Sequence, residues 1–239
     1  MQIRVGTSGW SYKEWKGSFY PSELPADGML RYYATQLPTV EINNSFYRIP
    51  REKVLMDWAA QVPPEFRFVM KASRRITHIN RLGNQDDSLD YFLKTVNVLG
   101  ERLGPTLFQC PPSLRLDLTR LRDFLGRVPR TWRSALEFRH ASWFNDEVYE
   151  ALREHDIALV TAEEDEDATP LVATASWGYL RLRRTLYRTE ELESWAGRIR
   201  SQPWKEAFVF LKHDEEGGTG PEAAVALAGM TREAAPESP

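Results

Sequence analysis

The chain has 239 residues, 42% hydrophobic and 27% charged, the balance of an ordinary globular protein and not of a disordered or fibrous one. Its 31 lysines and arginines against 34 aspartates and glutamates leave a formal net charge of −3, which excludes a strongly basic nucleic-acid coat but leaves room for a local basic groove. The single cysteine, Cys110, cannot form an internal disulfide, no apolar run approaches the ~18–20 residues of a membrane helix, and no basic-then-apolar leader pattern opens the chain, so the expectation is a soluble, cytoplasmic protein.

Short β-rich runs alternate with helical ones. Ile3–Gly9 reads as a strand and Met29–Leu37 as a helix, with Leu30, Tyr33, Ala34 and Leu37 at helical spacing. Val40–Phe46 is a strand. Glu52–Val62 is a helix stopped by Pro63 and Pro64, and Phe66–Lys71 is a strand. Ser88–Leu103 reads as one long helix with Ser88 as N-cap, followed by strand Thr106–Gln109, helix Leu118–Val128, strand Ala135–Phe138, helix Asp146–His155 and strand Ile157–Ala162. Glu163–Trp177, with Pro170, shows no helical pattern. Strand Tyr179–Leu182, helix Glu190–Ile199, strand Ala207–Leu211 and helix Pro221–Ala228 close the series.

Strands separated by crossover helices pair in parallel. Eight such units in this length predict an α/β fold, a closed TIM-type (β/α)8 barrel. It forms one domain over residues 1–230, with an irregular connection between strands 6 and 7 and a disordered tail over 231–239. A doubly wound open sheet is the alternative, disfavoured because no glycine-rich phosphate fingerprint follows the first strand.

Strands of a parallel barrel are covered by helices outside and filled by side chains inside, so polar residues on them carry information. Alternation turns Val40 and Ile42 outward and Glu41 and Asn43 inward. The same reading turns Lys71, Gln109, Glu137, Arg139, Arg181 and Arg183 inward, against outward Phe68, Met70, Leu136, Phe138, Leu180 and Leu182; Thr7 and Glu163 are weaker candidates. All fall towards C-terminal strand ends, where barrel enzymes place their sites. Buried charges must pair with one another or face a wet, ligand-holding mouth. Guanidinium groups fork onto phosphate or carboxylate, and carboxylates accept sugar hydroxyls or protons. The competing reading is a self-satisfied ion network that plugs the barrel.

The motifs Gly6-Thr-Ser-Gly-Trp-Ser-Tyr12, Trp15, Gly17-Ser-Phe-Tyr-Pro21, Val40-Glu-Ile-Asn-Asn-Ser-Phe-Tyr47, Ile76-Thr-His78 with Arg81-Leu82, Phe108-Gln-Cys-Pro-Pro-Ser113, and Glu137-Phe-Arg-His140 with Ser142-Trp-Phe144 resemble the YecE-like family of unknown function (domain of unknown function 72). The resemblance is strong over residues 1–145 and weak beyond. It implies a TIM-type barrel and, because the family has no established reaction, no activity. Two departures stand out: Arg183-Arg184 where the family shows a histidine–glycine pair, and Lys212-His213-Asp214 where it shows asparagines.

Glu41 and Glu137 are the candidate catalytic bases, and His78 and His140 the candidate proton-transfer groups. Asn43, Lys71, Gln109, Arg139 and Arg181 are the candidate substrate-binding residues, with Trp10, Tyr12, Tyr47 and Trp143 as the best exposed rings for stacking. A glycosidase-like use of the two glutamates is disfavoured because the surrounding cations hold both ionised. His78, His140 and His213 follow the third, fifth and eighth strands, but no pair has helix-borne i, i+4 ligand spacing, so neither metal nor cofactor is assigned. Arg74, Arg75, Arg81, Arg183, Arg184 and Arg188 are read either as a basic crescent for nucleic acid or as solvated surface. The glycines of His213–Pro221 suggest a mobile loop, and Cys110 is read as an inert buried thiol in preference to a reactive one. The expected function is an enzyme, with hydrolysis among the options, acting on a phosphate-bearing or sugar-like substrate at the C-terminal face. The alternative is a non-catalytic module binding nucleic acid or a metabolite. The expected partner is a small anionic or sugar-like ligand, with nucleic acid as a further option and no membrane.

Overall fold

The computed structural model describes residues 1–84, 86–212 and 219–231. His213, the acidic and glycine positions 214–218 and most of the expected tail lie outside the described residues. Eight strands form a closed barrel in chain order, all parallel. They are β1 (Gln2–Ser8), β2 (Thr39–Ile42), β3 (Arg67–Lys71), β4 (Leu103–Gln109), β5 (Ser134–Glu137), β6 (Ala158–Glu163), β7 (Trp177–Leu182) and β8 (Glu206–Leu211). The helices outside are α1 (Met29–Gln36), α2 (Glu52–Ala59), α3 (Ser88–Val96), α4 (Leu118–Arg127), α5 (Asp146–Arg153), α6 (Thr189–Arg200) and α7 (Thr219–Thr231). The expected TIM-type barrel is therefore the fold observed.

Two apolar layers follow from strand alternation. Val40, Ile42, Phe68, Met70, Phe108, Leu136, Leu180, Leu182, Val209 and Leu211 join the helices in one buried cluster. Val69, Leu107, Ala135, Ala158, Val160, Trp177, Tyr179, Phe208 and Phe210 form a second one inside the barrel. At the N-terminal end of the sheet, Glu206 takes Arg4 on one carboxylate oxygen and Arg133 on the other, each at 2.6 Å. Polar groups at the opposite end form the site described below.

The connection between β6 and β7 contains no helix, as the sequence pattern predicts. It runs back along β6 instead. Thr169 Oγ1 accepts from Ala162 N, Thr174 Oγ1 accepts from Leu159 N and donates to Ile157 O, and Leu171, Val172 and Ala173 pack on the outer cluster. Extended chain thus covers the face that a helix covers elsewhere.

Several expected boundaries move. The long helix from Ser88 stops at Val96 and continues as a tighter turn over Asn97–Arg102, where Gly100 takes φ 55°, a conformation nearly free to glycine and ruinous to a helix. That turn lets β4 begin at Leu103. Ser88 is the first helical residue and not the N-cap; its N–H is held by the Asp86 carboxylate at 3.0 Å. Strand β2 ends at Ile42, because Ser45 Oγ, 2.9 Å from Ile42 O and 2.6 Å from Lys71 O, folds Asn44–Phe46 into a turn. Helix α2 ends at Ala59, short of Val62. Thr231, expected in the tail, is the buried last residue of α7, its hydroxyl on Ala228 O. Among the described residues no helix is long and apolar enough to cross a membrane.

Candidate active site at the C-terminal mouth

The C-terminal ends of β2, β3, β4, β5 and β7 bring Glu41, Lys71, Gln109, Glu137 and Arg181 into one connected network. Arg181 lies at its centre. Its two terminal nitrogens donate to Glu41 Oε1 and Glu137 Oε2, each at 2.7 Å. All three side chains are at most 2% exposed. Glu41 has three further donors: Ser8 Oγ at 2.9 Å, Asn43 Nδ2 at 3.0 Å and Tyr179 OH at 2.7 Å. Glu137 Oε1 accepts from Gln109 Nε2 at 2.8 Å and Arg139 Nε at 3.1 Å. Gln109 then turns its carbonyl oxygen to Lys71 Nζ at 2.8 Å.

This arrangement sets the protonation states. Burial by itself would raise Glu41, but the charge and hydrogen bond of Arg181, with Tyr179 and Arg183, hold it at about 2. Burial also opposes ionisation of Glu137, yet Arg181 and Arg139 keep it below the usual carboxylate range. Both glutamates are held as anions, Glu41 by four hydrogen-bond donors and Glu137 by three. Lys71 shifts the other way: burial, then Arg181, outweigh Glu41 and Glu137 and bring it to about 8. Its Nζ sits 4.6 Å from the centre of the Phe46 ring, whose face shields it from water and attracts its charge only weakly.

The mouth above this layer is partly open. Arg139 is 37% exposed and Arg183 21%, each approaching the exposed Glu164 only at 3.9–4.0 Å. His78 lies in the turn Arg75–Ile79, edge-on to Phe46 at 4.8 Å, with Nδ1 2.9 Å from Thr77 Oγ1. Partial burial, then Lys71, Arg139, Arg74 and Arg81, lower its pKa, so its ring is neutral at pH 7. Beside the mouth, a hollow of about 520 Å³ is lined by Glu164, Asp165, Glu166 and Asp167 with Arg183 and Lys212.

Other expected members lie elsewhere. His140 caps the turn Ala141–Trp143, Nδ1 accepting from Ser142 N and contacting Ser142 Oγ. Glu163 accepts from Tyr187 OH and Trp195 Nε1, tying β6 to α6. Thr7 bonds Gly9 O and Tyr33 OH. Trp10 is half-buried, packed edge-on against Trp58 at 4.9 Å, and Tyr12 donates to Ser8 O, so both belong to the aromatic packing of the first loop. Tyr47 is 75% exposed. Burial pushes the Cys110 thiol up, which leaves it inert. Among the described residues no cluster of three or more metal-ligating side chains is present.

Trp143 corrects an expectation. It is fully buried, stacked on Phe138 at 4.2 Å and 2°, with Nε1 donating to Leu114 O at 2.7 Å. It is a core residue and not a stacking platform, because the turn after β5 folds it under the helices. Trp143→Ala is expected to lose about 3–5 kcal/mol in urea unfolding, and a loss below about 1 kcal/mol would contradict this packing role.

Two members escaped the sequence reading. Tyr179 shares the inward alternation of Arg181 and Arg183 but looks apolar enough for core. Ser8 precedes Gly9 at the end of β1 and carries no charge to mark it. Both are donors to Glu41.

A closed parallel barrel whose C-terminal mouth carries a centred ionic layer has the architecture of a TIM-type barrel protein, the layer lying at the end where such barrels place their sites. The family model described as "Protein of unknown function DUF72" matches residues 4–239, and the chain belongs to that family. Among solved structures, a DUF72 family protein from Thermotoga maritima superposes with a TM-score of 0.83 at 28% identity, covering 98% of this chain and all of that one. One from Enterococcus faecalis gives 0.78 at 21%, covering 98% and 97%. The chain is 29% identical to the protein YecE of Escherichia coli K12 over 143 residues, 59% of this chain and 50% of that one, and 29% identical to YunF of Bacillus subtilis over 160 residues, 62% and 54%. It spans about half the length of these curated relatives.

Proposed function

We propose that this chain is an enzyme acting on a small phosphate-bearing, sugar-like substrate at the C-terminal mouth of the barrel. The observation that carries the reading is the charge balance of the layer. Two carboxylates, Glu41 and Glu137, face four cations, Arg181, Lys71, Arg139 and Arg183, a net +2 that the exposed Glu164, 3.9–4.0 Å from Arg139 and Arg183, reduces to +1 at the rim. Arg181 is consumed below, while Arg139, Arg183 and Lys71 remain partly exposed to receive an anion. Asn43 adds a neutral acceptor suited to a hydroxyl, its Oδ1 having no hydrogen-bond partner while Nδ2 is held by Glu41.

The roles then redistribute. Glu41 and Glu137 supply fixed charge in place of the base chemistry expected of them, since each is already bonded by several donors and held ionised. A hydrolase built on them as an acid and base pair is disfavoured for the same reason. Proton transfer falls to His78, neutral and electrostatically coupled to Lys71 and Arg139. His140 is committed to Ser142. The mouth suits a small anion better than a nucleic-acid backbone. The acidic hollow beside Arg183 repels a polyanion, and three of the outer arginines are paired, Arg75 with Asp86 and Arg184 and Arg188 with Glu191.

Thermal unfolding tests the anion site. At 100 times the dissociation constant, a sugar phosphate is expected to stabilise the native chain by about 2.7 kcal/mol, raising Tm by about 5–10 °C. Arg139→Met and Arg183→Met are expected to weaken this at least about tenfold. No stabilisation by phosphate or by any sugar phosphate would overturn the reading. Saturable binding with no product across a sugar-phosphate panel would reduce it to a binding module.

A further inference from the structure

We propose that Lys71 is a nucleophile, forming an imine with the open-chain carbonyl of a phosphate-bearing aldose or ketose. The inference rests on the anion-binding reading above and extends it to a reaction.

Four features of the mouth point to covalent use of this amine. Lys71 stands at the tip of β3, partly exposed, at the boundary between the buried ionic layer and the solvent-facing cations. Its hydrogen-bond partner is the neutral Gln109 amide, whereas the nearby carboxylates are gripped by Arg181 and Arg139. The Phe46 ring covers one side of Nζ at 4.6 Å. Arg139 and Arg183 are the partly exposed cations of the same mouth, both reaching towards Glu164, and would seat a phosphate. Desolvation and adjacent cations are the two devices that make a lysine amine nucleophilic near neutral pH, and the lowered pKa of Lys71, to about 8, agrees with both.

The chemistry balances without an oxidant or reductant. The Nζ lone pair forms a bond to the carbonyl carbon, and the carbonyl π pair moves to oxygen, which takes up a proton. The carbinolamine then loses its C–O bond. Oxygen leaves as water, carrying the two hydrogens that the neutral amine gives up, and the remaining N–C bond becomes the imine. His78, neutral and close to the same groups, is the group available to pass protons between nitrogen and oxygen. A proton taken up from solvent by the imine nitrogen gives the iminium that cyanoborohydride reduces, and the fixed anions Glu41 and Glu137, whose charges act on Lys71, favour that positive charge.

Trapping tests this directly. The full chain is incubated with glyceraldehyde 3-phosphate and sodium cyanoborohydride, then analysed by intact mass and peptide mapping. The expected result is one reduced adduct at Lys71, at least about tenfold above any of the other six lysines. Excess inorganic phosphate should suppress it. Lys71→Arg, which keeps the charge, should retain phosphate stabilisation but yield no such adduct. Equal labelling of Lys13, Lys16, Lys53, Lys94, Lys205 and Lys212, or no adduct in a chain that phosphate still stabilises, would overturn the imine and leave the anion site standing. Failure of phosphate to stabilise the native chain would remove both.

Discussion

Arg181→Met is expected to lose about 3–5 kcal/mol of stability at pH 7, the largest effect of any single change at the mouth. The reason is asymmetry. The wild-type side chain, 2% exposed, neutralises two carboxylates at 2.7 Å each. Methionine fills most of the volume but leaves Glu41 and Glu137 buried with too few positive partners. An unpaired buried charge costs far more than a paired one returns. The pH dependence gives the sign. Glu41 at about 2 lies below the ordinary glutamate value of 4.5, so in the wild type its contribution is present above pH 4.5 and lost as pH falls towards 2. Without Arg181, burial opposes ionisation of both glutamates against fewer positive partners, so the folded variant is expected to take up protons at higher pH than the folded wild type. The gap between variant and wild type therefore narrows in acid. Urea unfolding at pH 7 and pH 4 measures it. A loss below about 1 kcal/mol, or one unchanged between the two pH values, would show that Arg181 does not hold the layer together.

Lys71→Met is expected to act in the opposite direction, raising stability by about 1–2 kcal/mol at pH 7 while weakening phosphate binding at least about tenfold. Lys71 is charged at neutral pH only at a cost, since burial and Arg181 bring it from 10.5 to about 8. Below pH 8 the amine is protonated in both folded and unfolded chains and the full penalty is present. Between 8 and 10.5 the folded chain sheds its proton first, so wild-type stability rises with pH. Above 10.5 both states are neutral and the penalty is gone. The advantage of the variant should therefore be full at pH 7 and vanish near pH 10.5. Methionine packs well against Phe46, and leaving the buried Gln109 Oε1 without its Lys71 donor offsets part of the gain, which holds the expected rise to about 1–2 kcal/mol. A variant less stable than wild type at pH 7, or an advantage that persists at pH 10.5, would contradict a strained lysine. Stability gained where binding is lost is the usual signature of a side chain kept for function.

The contrast between these two cations explains how far reading the chain goes. Alternation along each strand assigns Glu41, Lys71, Glu137 and Arg181 to the inner face without any coordinates, because the pleat is a property of neighbouring residues. The order of strands and helices, the closed barrel and the helix-free stretch after β6 follow from periodicity in the same way. Local turns were less legible. Gly100 ends a helix and Ser45 ends a strand through single conformations or contacts that a pattern of apolar positions does not register.

Tertiary structure alone decided which inward group meets which. Residues 41, 137 and 181 are joined only by closure and register of the barrel, and that junction holds both glutamates ionised while burial and neighbouring cations lower Lys71 and His78. It also hid Trp143 and recruited Tyr179 and Ser8. Facing is written in a few adjacent residues. Partnership and exposure depend on strands far apart in the chain, and so appear only once the sheet has closed.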